Sequence, residues 1–332
     1  MISVHDFYNK IRVLNRTGNI HTIKMSDLSV ALFGKKTKNP LILASGILGV
    51  TKKQMEEVCK AGAGAVTAKS LSIEPRKGHE TPIIADVGCG LLNAVGYSNP
   101  GIENGIKEFS PWKREEPLIL SITGKDEKEF AQLAAKIESV KNNKMLNCAA
   151  IEVALSCPHT PGFGMLAGQA EPEAVGRIIS AVVAETSLPV IAKLSPSVPG
   201  EVKAAISAEN VGAAAINMGN TLGPGMALDI ERRRPILSFK MGGLSGPAIK
   251  PVTVRCVYNI YEAVEIPVVG TGGVNSGKDA IEMMMAGASF VGVGTAVYYN
   301  GKEVFAKIAK EMEEWLKKHK HRNAREIIGA AH

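Results

Sequence analysis

The sequence predicts an α/β fold, a closed (β/α)8 TIM barrel with an N-terminal hairpin and excursions over the C-terminal face of the barrel. Three observations carry this expectation. Eight short apolar segments alternate with helical patterns, which demands parallel pairing with right-handed crossovers. Glycine clusters follow the last two of those segments, where barrels often hold a phosphate. A chain of 332 residues suits one such barrel.

Residues 1–27 form an N-terminal extension, of which 1–26 show no clear hydrophobic period, and 28–332 form the barrel domain. Residues 28–33 alternate apolar with small or polar residues, and Gly34-Lys35-Lys36 turns the chain back toward Asn39-Pro40. The resulting hairpin could plug one end of the barrel. Candidate strands follow at 41–44, 65–69, 118–122, 150–155, 190–194, 213–217, 267–270 and 290–293, most of them rich in β-branched or small apolar residues. Between them stand helical patterns at 53–61, 104–109, 127–141, 172–185, 200–209, 252–264 and 276–286, with a last one at 303–318. A doubly wound open sheet is the competing architecture. Its G-x-G-x-x-G fingerprint would have to follow the first strand, where the chain reads Ala44-Ser45-Gly46-Ile47-Leu48-Gly49 instead. Two linkers, 71–100 and 222–247, are long and rich in Gly and Pro, as expected of excursions that build and cover a barrel's active site. No second domain and no repeat beyond the βα unit is visible.

Composition narrows the function classes. The chain is 45% hydrophobic with a mean hydropathy of +0.06, and no apolar stretch approaches the ~20 residues of a membrane span. No signal-peptide core precedes the domain, so a reduced, cytoplasmic protein is expected. The net charge is +7, with Lys317, Lys318, Lys320, Arg322 and Arg325 gathered near the C-terminus around His319 and His321. Stacking aromatics are missing there, so the cluster reads as a solvated helix face and not as a nucleic-acid or membrane patch. The five cysteines, Cys59, Cys89, Cys148, Cys157 and Cys256, include no C-x-x-C pair, which argues against a disulfide framework or a metal or iron–sulfur site held by this chain alone.

Three features carry chemistry. The run Ile151-Glu152-Val153-Ala154-Leu155-Ser156-Cys157-Pro158 is a strand that stops at a thiol, followed by a loop holding Pro161, Gly162 and Gly164. Such a thiol could move a proton in a pocket closed by that loop, although a free Cys is more often simply buried. Gly270-Thr271-Gly272-Gly273 and Gly292-Val293-Gly294-Thr295 end the seventh and eighth strands, where bare backbone amides can approach a phosphate. Lys69 and Lys193 end two apolar strands at the same mouth. Lysine is seldom buried without a partner, so the two together fit an anionic cofactor and an anionic substrate.

Several stretches together resemble the dihydroorotate dehydrogenase family, over nearly all of the chain from Leu28 onward. They are Asn39-Pro40-Leu41-Ile42-Leu43-Ala44-Ser45-Gly46, Ala68-Lys69-Ser70, Glu74-Pro75-Arg76-Lys77-Gly78 and Leu92-Asn93-Ala94-Val95-Gly96-Tyr97-Ser98-Asn99-Pro100-Gly101. Ser156-Cys157-Pro158, Lys193-Leu194-Ser195-Pro196, Asn220-Thr221, Gly242-Gly243-Leu244-Ser245-Gly246-Pro247-Ala248, the two glycine clusters and Ile328-Gly329-Ala330-Ala331-His332 complete the set.

The resemblance implies a class 1, cytosolic enzyme of pyrimidine biosynthesis that oxidises dihydroorotate to orotate with FMN. The FMN phosphate would take Gly272, Gly273, Gly294 and Thr295, while Ser45, Lys69, Ser70, Lys193 and Gly246 would contact the rest of the cofactor. Lys69, the loop Asn93, Ala94, Val95, Gly96 and Tyr97, and Asn220 with Thr221 would hold the substrate. Cys157 would be the base. No metal is implied. The resemblance further implies a homodimer, and electrons leaving to a soluble acceptor or to a partner subunit carrying FAD and an iron–sulfur cluster. Membrane-bound relatives use serine as base and carry an N-terminal membrane segment, and Cys157 with the polar N-terminus argues against that class. Ala154, His159 and Ser121 stand where the family commonly carries asparagine, whose carboxamide suits a dihydropyrimidine edge. Ser156-Cys157-Pro158-His159, with 164–169, is also similar to the pyrimidine-reducing domain of dihydropyrimidine dehydrogenases, which act on uracil or thymine. A flavin-dependent tRNA dihydrouridine synthase would need an RNA-binding domain for which the chain has no room, and a non-catalytic flavin barrel is the remaining alternative.

Overall fold

Eight parallel strands close into a barrel in chain order: β1 Leu41–Leu43, β2 Ala65–Thr67, β3 Leu118–Ile122, β4 Ala150–Ala154, β5 Val190–Leu194, β6 Ala215–Met218, β7 Val268–Thr271 and β8 Ala288–Val293. β8 pairs back onto β1, so no strand edge is left open. The structure, a computed structural model, describes residues 10–14, 20–24, 26–142, 146–155, 169–197 and 200–332. Cys157, with Ser156, Pro158 and His159, lies outside the described residues.

Around the barrel run α1 Lys52–Lys60, α2 Ile102–Phe109, α3 Glu127–Asn142, α4 Pro172–Ala184, α5 Glu201–Asn210, α6 Lys250–Tyr261 and α7 Gly277–Met285, then α8 Ala296–Asn300 and α9 Val304–Lys318. Local chemistry starts them where the pattern places them. Thr51 and Gln54 form a capping box on α1, Pro172 opens α4, and Ser276 accepts the Asp279 N–H at the head of α7. The longer helices lay apolar stripes on the outer face of the strands, in one continuous shell with buried Val58, Phe130, Ile179, Val257, Met284 and Phe305. The one-turn helix α8 lacks an amphipathic period and was not expected from the sequence.

Strand parity sorts the barrel's interior into rungs. Ile42, Ala65, Ile119, Ala150, Ile191, Ala215, Val269 and Phe290 form the lowest, apolar rung, and Val30 and Leu32 pack against it from below. These two come from the antiparallel hairpin Val30–Leu32 and Lys35–Thr37, which therefore plugs the barrel's N-terminal end as expected. Two positions further along the strands the interior turns polar, with Thr67, Ser121, Glu152, Lys193, Asn217 and Thr271 all buried.

The two long excursions build one structure together. Ile84–Asp86 and Leu91–Asn93 from the first pair with Gly242–Ser245 and Leu222–Gly225 from the second, giving a four-stranded antiparallel sheet. It has an apolar cluster of its own, with Ala85, Leu92, Ala94 and Leu237 buried and Phe239 packed on them. Within the extension, where the sequence shows no period, Lys10–Leu14 pairs antiparallel with Ile20–Lys24. Asp27 then bonds across to the C-terminal segment through Arg322 and Ala324, so the beginning and the end of the barrel domain are tied. Among the described residues, no helix is long and apolar enough to cross a membrane. Lys317, Lys318, Lys320, Arg322 and Arg325 are exposed, as a solvated face requires.

Candidate active site

The C-terminal ends of the strands and the excursion sheet enclose a cavity of about 260 Å³. Its wall brings together Ser45, Lys69, Ser70, Asn93, Val95, Tyr97, Lys193, Asn220, Thr221, Gly246, Gly272, Gly273, Gly294 and Thr295, residues that stand up to 250 positions apart in the chain. Ala94 and Gly96 are absent from that wall. The Ala94 N–H donates to the carbonyl of Ile83 at 2.9 Å. At Gly96 a Cβ would lie 2.7 Å from Cδ2 of the His79 ring, so packing keeps that position bare. Ala154 lines the cavity where β4 ends, three residues before Cys157 in sequence.

The glycine clusters are bare for different reasons. At Gly272 and Gly273 φ is +145° and +77°, and a Cβ on Gly273 would meet the Lys250 Cβ at 2.5 Å, so packing alone demands glycine there. Gly294 is different. A Cβ there would lie 3.6 Å from the Cβ of Ala44, an ordinary contact, so its glycine keeps open space that the fold does not require. The N–H groups of Gly272, Gly273, Gly294 and Thr295 donate to no group among the described residues. Uncommitted donors beside a vacant Cβ position are what a phosphate needs at this end of a barrel. The residues present therefore fit the phosphate end of a nucleotide cofactor.

A hydroxyl chain runs along one side. Ser45 Oγ donates to the Ala68 carbonyl at 2.8 Å and lies 3.4 Å from Ser70 Oγ, which is 2.9 Å from Ser121 Oγ. Across the mouth, Asn220 Oδ1 accepts the Thr221 N–H at 2.8 Å, while the buried Thr221 Oγ1 finds no partner among the described residues.

The loop that carries Asn93, Val95 and Tyr97 is held from behind. Asn93 Nδ2 donates to the Gly243 carbonyl at 3.1 Å, and Gly96 and Tyr97 take left-handed φ of +73° and +56°. Asn99 accepts the Gly101 N–H and donates to the Tyr97 carbonyl, closing the turn. His79 Nδ1 lies 3.2 Å from the Ala94 carbonyl, and its ring stacks on Phe239 at 4.2 Å, pinning one excursion to the other.

Beneath the cavity lies a network that the chain's motifs do not announce. Lys193 Nζ bonds Glu152 Oε1 at 3.2 Å, Asn217 Nδ2 donates to Glu152 Oε2 at 2.6 Å, and Thr271 Oγ1 donates to Asn217 Oδ1 at 2.8 Å. Ser245, which takes the Thr295 hydroxyl at 2.7 Å, is another wall residue that motif reading passes over. Strand parity offered a signal for Glu152, since it shares a face with Ala150 and Ala154 and so must point inward.

The described cysteines separate by environment. Burial pushes the thiols of Cys59 and Cys148 up to about 12 and that of Cys256 up to about 11, so none of these three supplies a thiolate near neutral pH. Cys89 is exposed and lies outside the cavity wall.

A closed (β/α)8 barrel with uncommitted amides after β7 and β8, two lysines in the wall and a sheet roofing the mouth has the arrangement that suits a phosphate-bearing ligand. The family model described as dihydroorotate dehydrogenase matches residues 27–316. A Pyrococcus abyssi protein named dihydroorotate dehydrogenase B (NAD(+)), catalytic subunit, is 44% identical over 304 residues, which cover 92% of this chain and 99% of that protein. Proteins of the same name from Methanothermobacter thermautotrophicus and Methanocaldococcus jannaschii are 42% and 41% identical over 92% of this chain and 98% of their own lengths. Among solved structures, a dihydroorotate dehydrogenase from Eimeria tenella in complex with ferulenol superposes with a TM-score of 0.76 at 21% identity, over 92% of this chain and 88% of the other, a likeness of fold. The chain belongs to the dihydroorotate dehydrogenase family, flavin-binding oxidoreductases that act on CH–CH bonds.

Proposed function

We propose that this chain oxidises dihydroorotate to orotate in pyrimidine biosynthesis, with FMN across the barrel mouth, as the catalytic subunit of an NAD-linked pair. The observation that carries the proposal is the convergence, on one cavity, of an uncommitted amide cradle, two lysines and the polar groups of both excursions. Gly272, Gly273, Gly294 and Thr295 would hold the FMN phosphate, and Ser45, Lys69, Ser70, Lys193 and Gly246 the remainder of the cofactor. FMN, when bound, supplies the hydride acceptor.

Lys69 would offer its ammonium to the substrate carboxylate, a charge-assisted bond that neutral dihydrouracil cannot make. Asn93, Val95 and Tyr97 would border the ring on one side. Asn220 and Thr221 would close the other. Oxidising a saturated C–C bond beside a carbonyl removes a proton from one carbon and a hydride from its neighbour. Cys157 Sγ would take the proton, as a thiolate becoming a thiol, from the substrate face opposite the cofactor. The partner suggested by the relatives' name is an electron-transfer subunit that passes the two electrons on to NAD, and FAD with an iron–sulfur cluster would suit that task.

Rapid mixing of the purified yellow protein with dihydroorotate or dihydrouracil tests the proposal. Flavin bleaching by dihydroorotate, and slow or absent bleaching by dihydrouracil, is the expected result, and the reverse order would transfer the assignment to the uracil-type reaction. Cys157→Ala should keep its flavin and lose roughly 10²–10⁴-fold in the bleaching rate. Full activity in that variant would remove Cys157 from the chemistry.

A further inference from the structure

The buried carboxylate of Glu152 has no place in the chemistry just described. It lies at the middle of β4, outside the cavity wall, so no ligand in the mouth can touch it. Its partner does reach the wall. The side chains of Lys193 and Glu152 are only 7% and 3% exposed, so each charge is removed from water and depends on the other. The second carboxylate oxygen is held by Asn217, which Thr271 holds in turn from the strand that leads into Gly272 and Gly273. Four neighbouring strands, β4 to β7, thus converge on one anion beneath the site.

We infer that Glu152 is a positioning residue that sets both the direction and the net charge with which Lys193 meets the cofactor. One of the three ammonium donors is committed downward at 3.2 Å, which leaves the other two for a ligand at the cavity wall. The carboxylate also offsets the positive field of Lys193 at the mouth. A lone buried ammonium beside a flavin favours the reduced, more anionic form, and a paired one favours it less. Glu152 therefore keeps the cofactor easier to reoxidise, which an enzyme passing electrons onward requires. This inference rests on the flavin reading given above.

The test compares the purified holoenzyme with Glu152→Gln, Lys193→Met and the double variant, measuring the flavin's two-electron midpoint potential and thermal unfolding of the flavin-free proteins. In Glu152→Gln the reduced flavin should gain about tenfold in affinity relative to the oxidised form, a rise of about 30 mV. The same substitution in the Lys193→Met background should raise the potential by clearly less, because only the carboxylate's own field is then removed. A rise undiminished without Lys193, or no rise at all, overturns the inference. Should Glu152→Gln fail to hold flavin, the unfolding data decide. Lys193→Met strands the carboxylate and should lower the flavin-free melting temperature by several degrees, and the double variant should recover most of that loss. Equal melting of all four proteins rejects the coupling. A wild-type protein that takes up no flavin would refute the flavin reading itself.

Discussion

At Gly292 and Gly294, two glycines of one motif separate the demands of packing from those of a ligand. A Cβ on Gly292 would lie 1.9 Å from Thr271 Oγ1, whose hydrogen bond to Asn217 it would disrupt, whereas a Cβ on Gly294 meets only ordinary contact with Ala44. Gly292→Ala should therefore cost roughly 1–3 kcal/mol of stability. Gly294→Ala should leave stability within about 0.5 kcal/mol while weakening flavin binding about tenfold or more. Denaturant unfolding of the flavin-free proteins and a flavin titration separate the two, and equal losses of stability would show that Gly294 too is a packing residue. The glycine clusters and the end-of-strand lysines were legible because they break a local pattern. Parity also marks Glu152 as inward-facing, but its partners were not legible, because they stand 41 and 65 positions away.

One carboxylate on α3 holds the turn between α4 and β5. Burial works to raise the pKa of Glu138, but the Thr186 hydroxyl, the Ser187 hydroxyl and N–H, and Lys141 outweigh it and hold the group down to about 2, against an ordinary value of 4.5. The folded value is depressed, so the contribution to stability is complete above the ordinary value and lost as pH falls from about 4.5 toward 2. Glu138→Gln should cost roughly 1–2 kcal/mol at neutral pH. Melting curves of variant and wild type should converge between pH 4.5 and 2, and a gap independent of pH would mean that the charge has no part in holding the turn. Periodicity located the helices and strands, with bounds shifting by a few residues. The pairing of the two excursions could not be read, because Leu91–Asn93 and Gly242–Ser245 are too short and too irregular to show which partner each takes.

Closing eight strands leaves two open ends, and the chain treats them oppositely. The N-terminal end is filled by the hairpin's Val30 and Leu32 against an apolar rung, which makes the hairpin part of the barrel's core and not an attachment to it. Leu32 is 1% exposed, so Leu32→Ala should destabilise the whole barrel by roughly 2–5 kcal/mol in urea unfolding. A cost below about 0.5 kcal/mol would show that the plug carries no stability. The C-terminal end is left polar and hollow beneath a sheet with its own small apolar cluster, which keeps the binding machinery apart from the main core. Lys69, Lys193 and both glycine clusters meet there although the chain scatters them over 227 positions, from residue 69 to residue 295 counted inclusively.

Alternation of apolar strands with amphipathic helices is enough to imply parallel pairing, and eight repeats are enough to imply closure, because each rule follows from backbone geometry that local sequence controls. Family membership was likewise written in ordered motifs. Inside the barrel, strand parity chose which side chains face one another, and the register between strands chose which of those lie at the same height. Hydrogen bonds such as that from Asn217 to Glu152 exist only after both choices are made. Burial then gives them their strength, by removing the water that would otherwise compete for each partner.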